Sequence, residues 1–399
     1  MTVARVGRLR IALHAALLAA PTIAAAQPDT ALVQGGIYQR PYIVSVGRTA
    51  LGGYLEAHGQ VERIDGISEG LSLEIPRFNL FLYSPLGRRL RVTAEIEIEE
   101  GGEELRLETA LADFVITPSL VVRGGVILVP IGAFNVNHDG PRYDFVARPL
   151  VATTIIPATL SEAGFGLHGR LAPGRRMTVS YDVYLSNGLQ EGVVLNGTGR
   201  TDLPSGKTAA LFGEDGNGSP AVSGRVAALA RSFGELGFSH YRGAYNTWKI
   251  EGTVVDEARS FAITALDLST ALGQVALRGE AAIATIELPE DLHEVHGSRQ
   301  WGLYFDATVP VWRPRIRALT DPVVSLGLRL DHVDWNVGRF SGTGASRGDE
   351  QTALTLAVSF RPVGGTVMRL NYRLGSTTDL QGNPAVRSAG LALGFATYF

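Results

Sequence analysis

The sequence predicts an all-β fold, a transmembrane antiparallel β-barrel of about sixteen strands with short periplasmic turns and long extracellular loops. Three observations carry that expectation. Many segments alternate apolar and polar residues with period two, short turn-rich connections alternate with longer polar ones, and the final strand is amphipathic and ends on an aromatic residue, Phe399.

Residues 1–26 read as a secretory signal and are set apart from the fold. Arg5, Arg8 and Arg10 form a basic start, Ile11 to Ala20 an apolar stretch, and Ala24-Ala25-Ala26 a small-residue cleavage site before Gln27. Without the three signal arginines, 36 basic residues fall to 33 against 39 acidic ones. That balance, with no basic tract, argues against nucleic-acid binding. The chain contains no cysteine, which excludes disulfides, zinc-thiolate sites and thiol nucleophiles. Hydrophobic residues make up 45% of the sequence, yet beyond the signal no apolar run reaches the roughly 18 residues of a membrane-spanning helix. Strands remain the means of burying that apolar content, and 48 glycines fit them better than long helices.

Residues 27–49 show no clear strand and are expected to form a periplasmic or lumen-docked segment, with the barrel over 50–399. Among the early strands, Leu90, Val92, Ala94, Ile96 and Ile98 share one face while Arg91, Thr93, Glu95, Glu97 and Glu99 share the other. In the final strand, Ala389, Leu391, Leu393, Phe395, Thr397 and Phe399 lie on one face. Short turns are expected near Ser84-Pro85-Leu86-Gly87, Thr117-Pro118-Ser119, Ala172-Pro173-Gly174, Ser232-Phe233-Gly234, Ala271-Leu272-Gly273, 314–321 and Pro362-Val363-Gly364. Longer polar stretches over 65–69, 100–103, 133–160, 187–219, 244–255, 288–298, 336–350 and 376–385 alternate with them. Trp301, Trp312 and Trp335 stand at strand ends, as interfacial girdles require.

Parity places Arg91, Glu95, Glu97, Arg123, Asp182, Arg278, Glu280, Arg329, Asp331, Arg369 and Arg373 on the inner face, as pore-lining candidates. Such a wall carries both signs and creates a transverse field. Lys207 and Lys249 are the two lysines, so fixed positive charge is nearly all arginine. Other motifs are weak. Ser205-Gly206-Lys207-Thr208 ends like a phosphate-binding loop, but position 201 is Thr where a glycine belongs. His293 and His296, with Glu290, Asp291 and Glu294, match no strong metal-ligand spacing. Glu95, Glu97 and Glu99 alternate on one strand, which reads as a polar face rather than a glycosidase pair. Ser68 and Ser346 fall in G-x-S-x-G strings, but both lie in the polar stretches 65–69 and 336–350 rather than at the strand-to-helix turn that a nucleophile elbow needs.

Val122-Arg123-Gly124-Gly125-Val126 leading into Val129-Pro130-Ile131-Gly132, then Ser161 to Leu167 after a long loop, resembles the phosphate-selective porin O and P family over roughly 52–399. The resemblance implies a sixteen-stranded trimeric channel whose third loop folds inward. Phosphate selectivity in that family rests on an arginine ladder and a lysine cluster, and neither lysine of this chain lies in the third loop, so those residues are not carried over. By the porin analogy, loop 133–160 narrows the pore through His138, Asp139, Arg142, Tyr143, Asp144 and Arg148, with Arg142 and Arg148 facing acidic groups. The expected function is passive diffusion of small hydrophilic solutes or ions, with no enzymatic activity, metal or cofactor. Outer-membrane lipid, the barrel-assembly machinery reading Phe399, and two further copies in a homotrimer are the expected partners. The alternatives are a barrel-embedded hydrolase and a plugged surface-binding barrel; a receptor with a globular plug and about 22 strands needs more residues than the chain has.

Overall fold

The computed structural model describes residues 40, 41, 44–174 and 176–399, and the expected signal lies outside them. Sixteen strands form one closed antiparallel barrel. The first eight are β1 (Thr49–Ile64), β2 (Ile67–Leu86), β3 (Leu90–Glu99), β4 (Glu104–Thr117), β5 (Leu120–Leu128), β6 (Ser161–Leu171), β7 (Met177–Ser186) and β8 (Ala221–Ala230). The second eight are β9 (Gly234–Ala244), β10 (Ser260–Leu272), β11 (Val275–Ile286), β12 (Arg299–Trp312), β13 (Val323–Asp334), β14 (Glu350–Arg361), β15 (Thr366–Thr378) and β16 (Val386–Tyr398). Each strand pairs with its successor, and β16 returns to β1 from Ser388↔Ile64 to Tyr398↔Tyr54. A three-residue strand, Val44–Val46, precedes β1 and pairs with its start.

Short and long connections alternate as the sequence indicates, with a difference at the first two long ones. Asp65 and Gly66 (φ 48° and 85°) close a two-residue hairpin, so residues 67–69 belong to β2 rather than to a loop. An Asp-Gly pair tolerates left-handed backbone at both central positions, the geometry a tight hairpin needs. The second connection is also short, at 100–103. We call the connections over 129–160 and 187–220 the third and fourth loops.

Outward side chains form an apolar belt in which Phe165, Leu185, Phe238, Leu266, Ile283, Leu356, Leu370 and Leu393 are all exposed. Such a surface belongs against lipid rather than water. The inner face departs from a uniformly polar wall. Tyr241, Phe261, Ile263, Ala282, Ala284, Ile286 and Tyr304 point inward and pack with Val129, Ile131, Val151 and Ile155 of the third loop and Leu189, Val193 and Leu203 of the fourth. The expected girdle position of Trp335 is overturned: it is buried in this cluster, beneath the Arg200 guanidinium at 4.6 Å. Trp312 is 63% exposed at the end of β12.

The seam between first and last strands is tightly fitted. Gly53 and Phe399 exchange backbone hydrogen bonds of 2.9 and 3.0 Å, and the Phe399 ring stacks on Phe78 with centroids 5.3 Å apart. A Cβ at position 53 would sit 2.7 Å from the Phe399 ring and would overlap the Asn79 carbonyl. Gly53→Leu is therefore expected to destabilise closure by about 1–3 kcal/mol, the usual cost of overpacking. The measurement is the fraction of refolded protein that shifts on unheated electrophoresis; an unchanged fraction and midpoint would show that the seam tolerates the side chain.

Candidate functional site

The third loop leaves the wall because β5 stops at Leu128 and Pro130 has no amide hydrogen to continue a ladder. Its base is tied by Asn135, whose side-chain amide donates to the Val129 and Leu160 carbonyls at 2.7 and 3.1 Å and whose Oδ1 accepts from Leu160 N at 2.7 Å. Two short helices, α1 (Gly132–Asn135) and α2 (Leu150–Thr154), lie inside the barrel. The free amides at the start of α1 find a wall carboxylate: Glu280 of β11 accepts from Ala133 and Phe134 at 2.8 and 3.0 Å. Asp331 of β13 accepts from Leu150 at the start of α2 at 2.9 Å.

Between the helices the loop crosses the lumen. Gly140 passes so close to Glu56 of β1 that any Cβ there would overlap the carboxylate. Arginines of three neighbouring strands hold the loop's backbone. Arg329 pairs with Asp306 at 2.6 and 2.7 Å and donates to the Ala147 carbonyl, Arg361 binds Asp144 and the Pro141 carbonyl, and Arg369 donates to the Phe145 carbonyl at 2.8 Å. Planar guanidinium groups with several donors suit a task in which carboxylate and carbonyl oxygens are held together.

Each candidate of the loop has a defined partner. Asp139 receives two hydrogen bonds from Arg40, at 2.7 and 3.0 Å, and one from the Tyr398 hydroxyl at 2.8 Å. Burial alone would raise the Asp139 carboxyl, but the Arg40 and Arg142 charges hold it below the usual carboxylate range. Arg142 donates to the Tyr398 hydroxyl at 2.8 Å and to Asn137. Tyr143 donates to the Asn137 carbonyl at 2.6 Å, and burial pushes its phenol up to about 12. Arg148 donates to Thr159 at 3.2 Å and lies over the Phe134 ring. His138 faces the Asn135 carbonyl with Nδ1 and Glu108 Oε1 with Nε2, both at 2.8 Å. The first contact requires hydrogen on Nδ1, whereas the second has ion-pair distance without hydrogen-bond geometry. Burial and the Arg148 charge push the imidazole below its ordinary value.

The wall candidates divide into two sets. Glu95, Glu97, Glu280, Arg329, Asp331 and Arg369 are buried beneath the third loop and Arg40. Arg91, Arg278 and Arg373 face inward and keep contact with solvent, Arg278 donating to the Arg142 carbonyl at 3.2 Å. Arg123 and Asp182 belong to another inward group, where Arg123 pairs with Asp113 at 2.7 and 2.9 Å and Tyr184 donates to Asp182 at 2.8 Å. Sequence reasoning missed Arg40, which is 2% exposed and joins Asp139 to Glu95 at 2.6 Å while its guanidinium lies 4.0 Å from the Phe81 ring centre. It missed Glu108 as well, because a bulge opposite Glu95 and Ile96 turns both Glu108 and Thr109 inward. Among the described residues no three His, Asp or Glu side chains converge on a metal position; His293 faces the Leu288 carbonyl and Glu294 accepts from Ser341.

Removing Arg40 leaves buried Glu95 without its cation and Asp139 with Arg142 alone, a loss of about 3–5 kcal/mol for a buried pair. Arg40→Ala is expected to expose residues 137–148, measured as faster protease cleavage there; wild-type cleavage would mean that Arg40 does not seat the loop. The pH dependence follows from the depressed Asp139 value. Its contribution is complete above the ordinary carboxylate range and lost only as pH falls through the lower folded value, so the loop should stay protected at about pH 4 and open below it. Opening above pH 5 in the same assay would contradict this.

No known family model matches the chain. An uncharacterized protein of Aquifex aeolicus (strain VF5) is 32% identical over 199 residues, 48% of this chain and 43% of that protein, so the match spans less than half of the relative's length. Among solved structures, the anion-selective porin from Comamonas acidovorans aligns over 88% of this chain and 99% of its own, with a TM-score of 0.55 and 12% identity. Salmonella typhi OmpF in complex with daunomycin aligns over 89% and 99%, with a TM-score of 0.55 and 11% identity. A loop L8 deletion mutant of OmpT, an outer membrane protein of Vibrio cholerae, aligns over 88% and 100%, with a TM-score of 0.54 and 10% identity. At such identities the likeness is one of fold: the chain shares the closed β-barrel of these outer-membrane proteins.

Proposed function

We propose that this protein is a narrow outer-membrane porin that lets small hydrophilic solutes or ions diffuse passively through its lumen. One observation carries the reading: a loop of 32 residues is drawn into a sixteen-stranded barrel and clamped there by wall arginines, while Arg91, Arg278 and Arg373 stay accessible on the inner face. Clamping a loop at fixed depth sets a bore, and accessible charges along the remaining path set ion preference. The fold likeness to an anion-selective porin agrees with this. Export through the signal over residues 1–26, insertion by the barrel-assembly machinery with Phe399 as its signal, and a homotrimer are parts of the same proposal.

A second reading, a plugged surface-binding barrel, draws on the apolar cluster that the third and fourth loops build against β9–β13. Conductance separates the two. Refolded protein in a planar bilayer is expected to give discrete open steps, and deletion of 137–148 should enlarge them at least about twofold, because the bore is set by that loop. A bilayer that stays silent with heat-modifiable protein favours the plugged barrel. Steps of unchanged size after the deletion would remove the constriction from the proposal.

A further inference from the structure

The wall is open between β4 and β6. Pairs between β4 and β5 stop at Ala110↔Val126, and β5 itself ends at Leu128, so residues 104–109 have no strand partner on that side. The fourth loop lies across the opening and leaves a crevice of about 430 Å³, large enough for a small organic molecule. Both faces of β4 line it. Leu105 and Leu107 point outward beside Ile98 and Ile96 of β3, whereas Arg106 and Glu108 point inward. The crevice therefore passes round a free strand edge, from the lipid-facing surface toward the lumen. The ten residues of β3 climb about 25 Å at the usual rise and tilt, the height of a barrel's apolar band, so Leu105 and Leu107 lie at the outer boundary of the hydrocarbon.

The carboxylates of the lining are all engaged. Glu97 lies 3.4 Å from Arg77, Glu104 lies 2.8 Å from Arg106, and Glu108 faces His138 at 2.8 Å and accepts from Asn79 at 3.3 Å. Two cations have no such match. Lys207 donates to the Thr159 carbonyl at 3.3 Å and Arg148 to the Thr159 hydroxyl at 3.2 Å, and among the described residues neither has a carboxylate within ion-pair distance. Arg148 Nη2 is buried without a hydrogen-bond partner among the described residues, and so is the Ser161 hydroxyl in the lining. Two positive charges and a hydroxyl able to donate are thus left unmatched around Thr159, an unfavourable state that an anion relieves. Burial and the Arg106 and Arg148 charges lower Lys207 to about 8 against the pull of Glu99 and Glu97, which leaves it charged at neutral pH.

The rest of the lining selects what carries that anion. Leu105, 72% exposed, and Leu107 form the lipid-side mouth, and Leu211 and Phe212 of the fourth loop add apolar surface. A bare anion leaves this surface uncovered, whereas an apolar chain covers it and continues into the hydrocarbon.

We propose that the crevice is a lateral binding site for an anionic amphiphile of the outer leaflet, a fatty carboxylate, whose head is held by Lys207 and the Ser161 hydroxyl while its chain leaves over Leu105 and Leu107 into the lipid. The site requires the barrel to lie in a bilayer but not to conduct, so it goes beyond the channel reading and stands or falls apart from it.

Calorimetric titration of the protein in phosphatidylcholine nanodiscs, with protein-free discs as the reference for simple partitioning, tests the site. Decanoate is expected to bind saturably beyond the partitioning seen in empty discs. Decanol, which lacks the charge, and butyrate, which lacks most of the chain, should each bind at least about tenfold more weakly, one losing a charge-assisted contact and the other apolar burial. Lys207→Met should weaken decanoate by a similar factor, and Lys207→Arg, which keeps the charge, should restore it. Decanoate uptake equal to that of empty discs overturns the site, as does binding indifferent to Lys207→Met. Decyltrimethylammonium binding as tightly as decanoate would show a groove without charge selection and overturns it too. Butyrate binding as tightly as decanoate would make the ligand a water-soluble carboxylate and overturn the lipid-side assignment.

Discussion

In hydrocarbon no solvent can replace a missing backbone hydrogen bond, and this constraint governs the rest of the molecule. Every strand edge at membrane depth needs a partner, so β16 must find β1, and the closure fixes which residue of each strand faces lipid and which faces inward. Period-two alternation of the sequence follows from that geometry. So does the small residue at position 53: two strands meeting beneath a stacked Phe78–Phe399 pair leave no room for a side chain.

Once the wall is closed, its interior must be either wet or filled, and this chain fills much of it with its own loops. Filling creates a second constraint, because the third loop brings backbone carbonyls and carboxylates away from water. Arg329, Arg361, Arg369 and Arg40 meet that need with several donors apiece, which explains why the inner charges of β13–β15 are chiefly arginine where a lysine would serve one or two oxygens. Beside this polar seat lies an apolar one, where both long loops bury aliphatic side chains against Phe261, Ile263 and Ile286. One half of the loop is thus held by direction-specific contacts, the other by packing.

Where the chain obeys two-residue periodicity, the sequence could be read: the faces of β3 and β16, the strand count and the inward side of Glu95, Arg329 and Arg369 all follow from parity. Reading failed where another rule intervened. Around β11, Ala282, Ala284 and Ile286 alternate with Ala281, Ile283 and Thr285, so both faces are largely apolar and parity cannot show that the inner one packs against loops. The bulge at Glu108 shifts the register locally, and Arg40 lies before any strand pattern begins. Trp335 stands at a strand end like an interfacial residue, but loop packing turns it into the cluster. Lys207 sits in a failed phosphate-loop match, and its place beside Thr159 depends on contacts far apart in the chain.

The same seam also dictates an order of events during assembly. β1 can be completed early, yet its outer edge stays open until β16, the strand farthest from it in sequence, arrives. Until then the partly built sheet carries two unsatisfied edges, each able to pair with another chain. Such an intermediate has no local remedy, because the residues that end its exposure are those that arrive last. Escape from aggregation therefore becomes a matter of timing, with β16 acting as the latch that ends the vulnerable period.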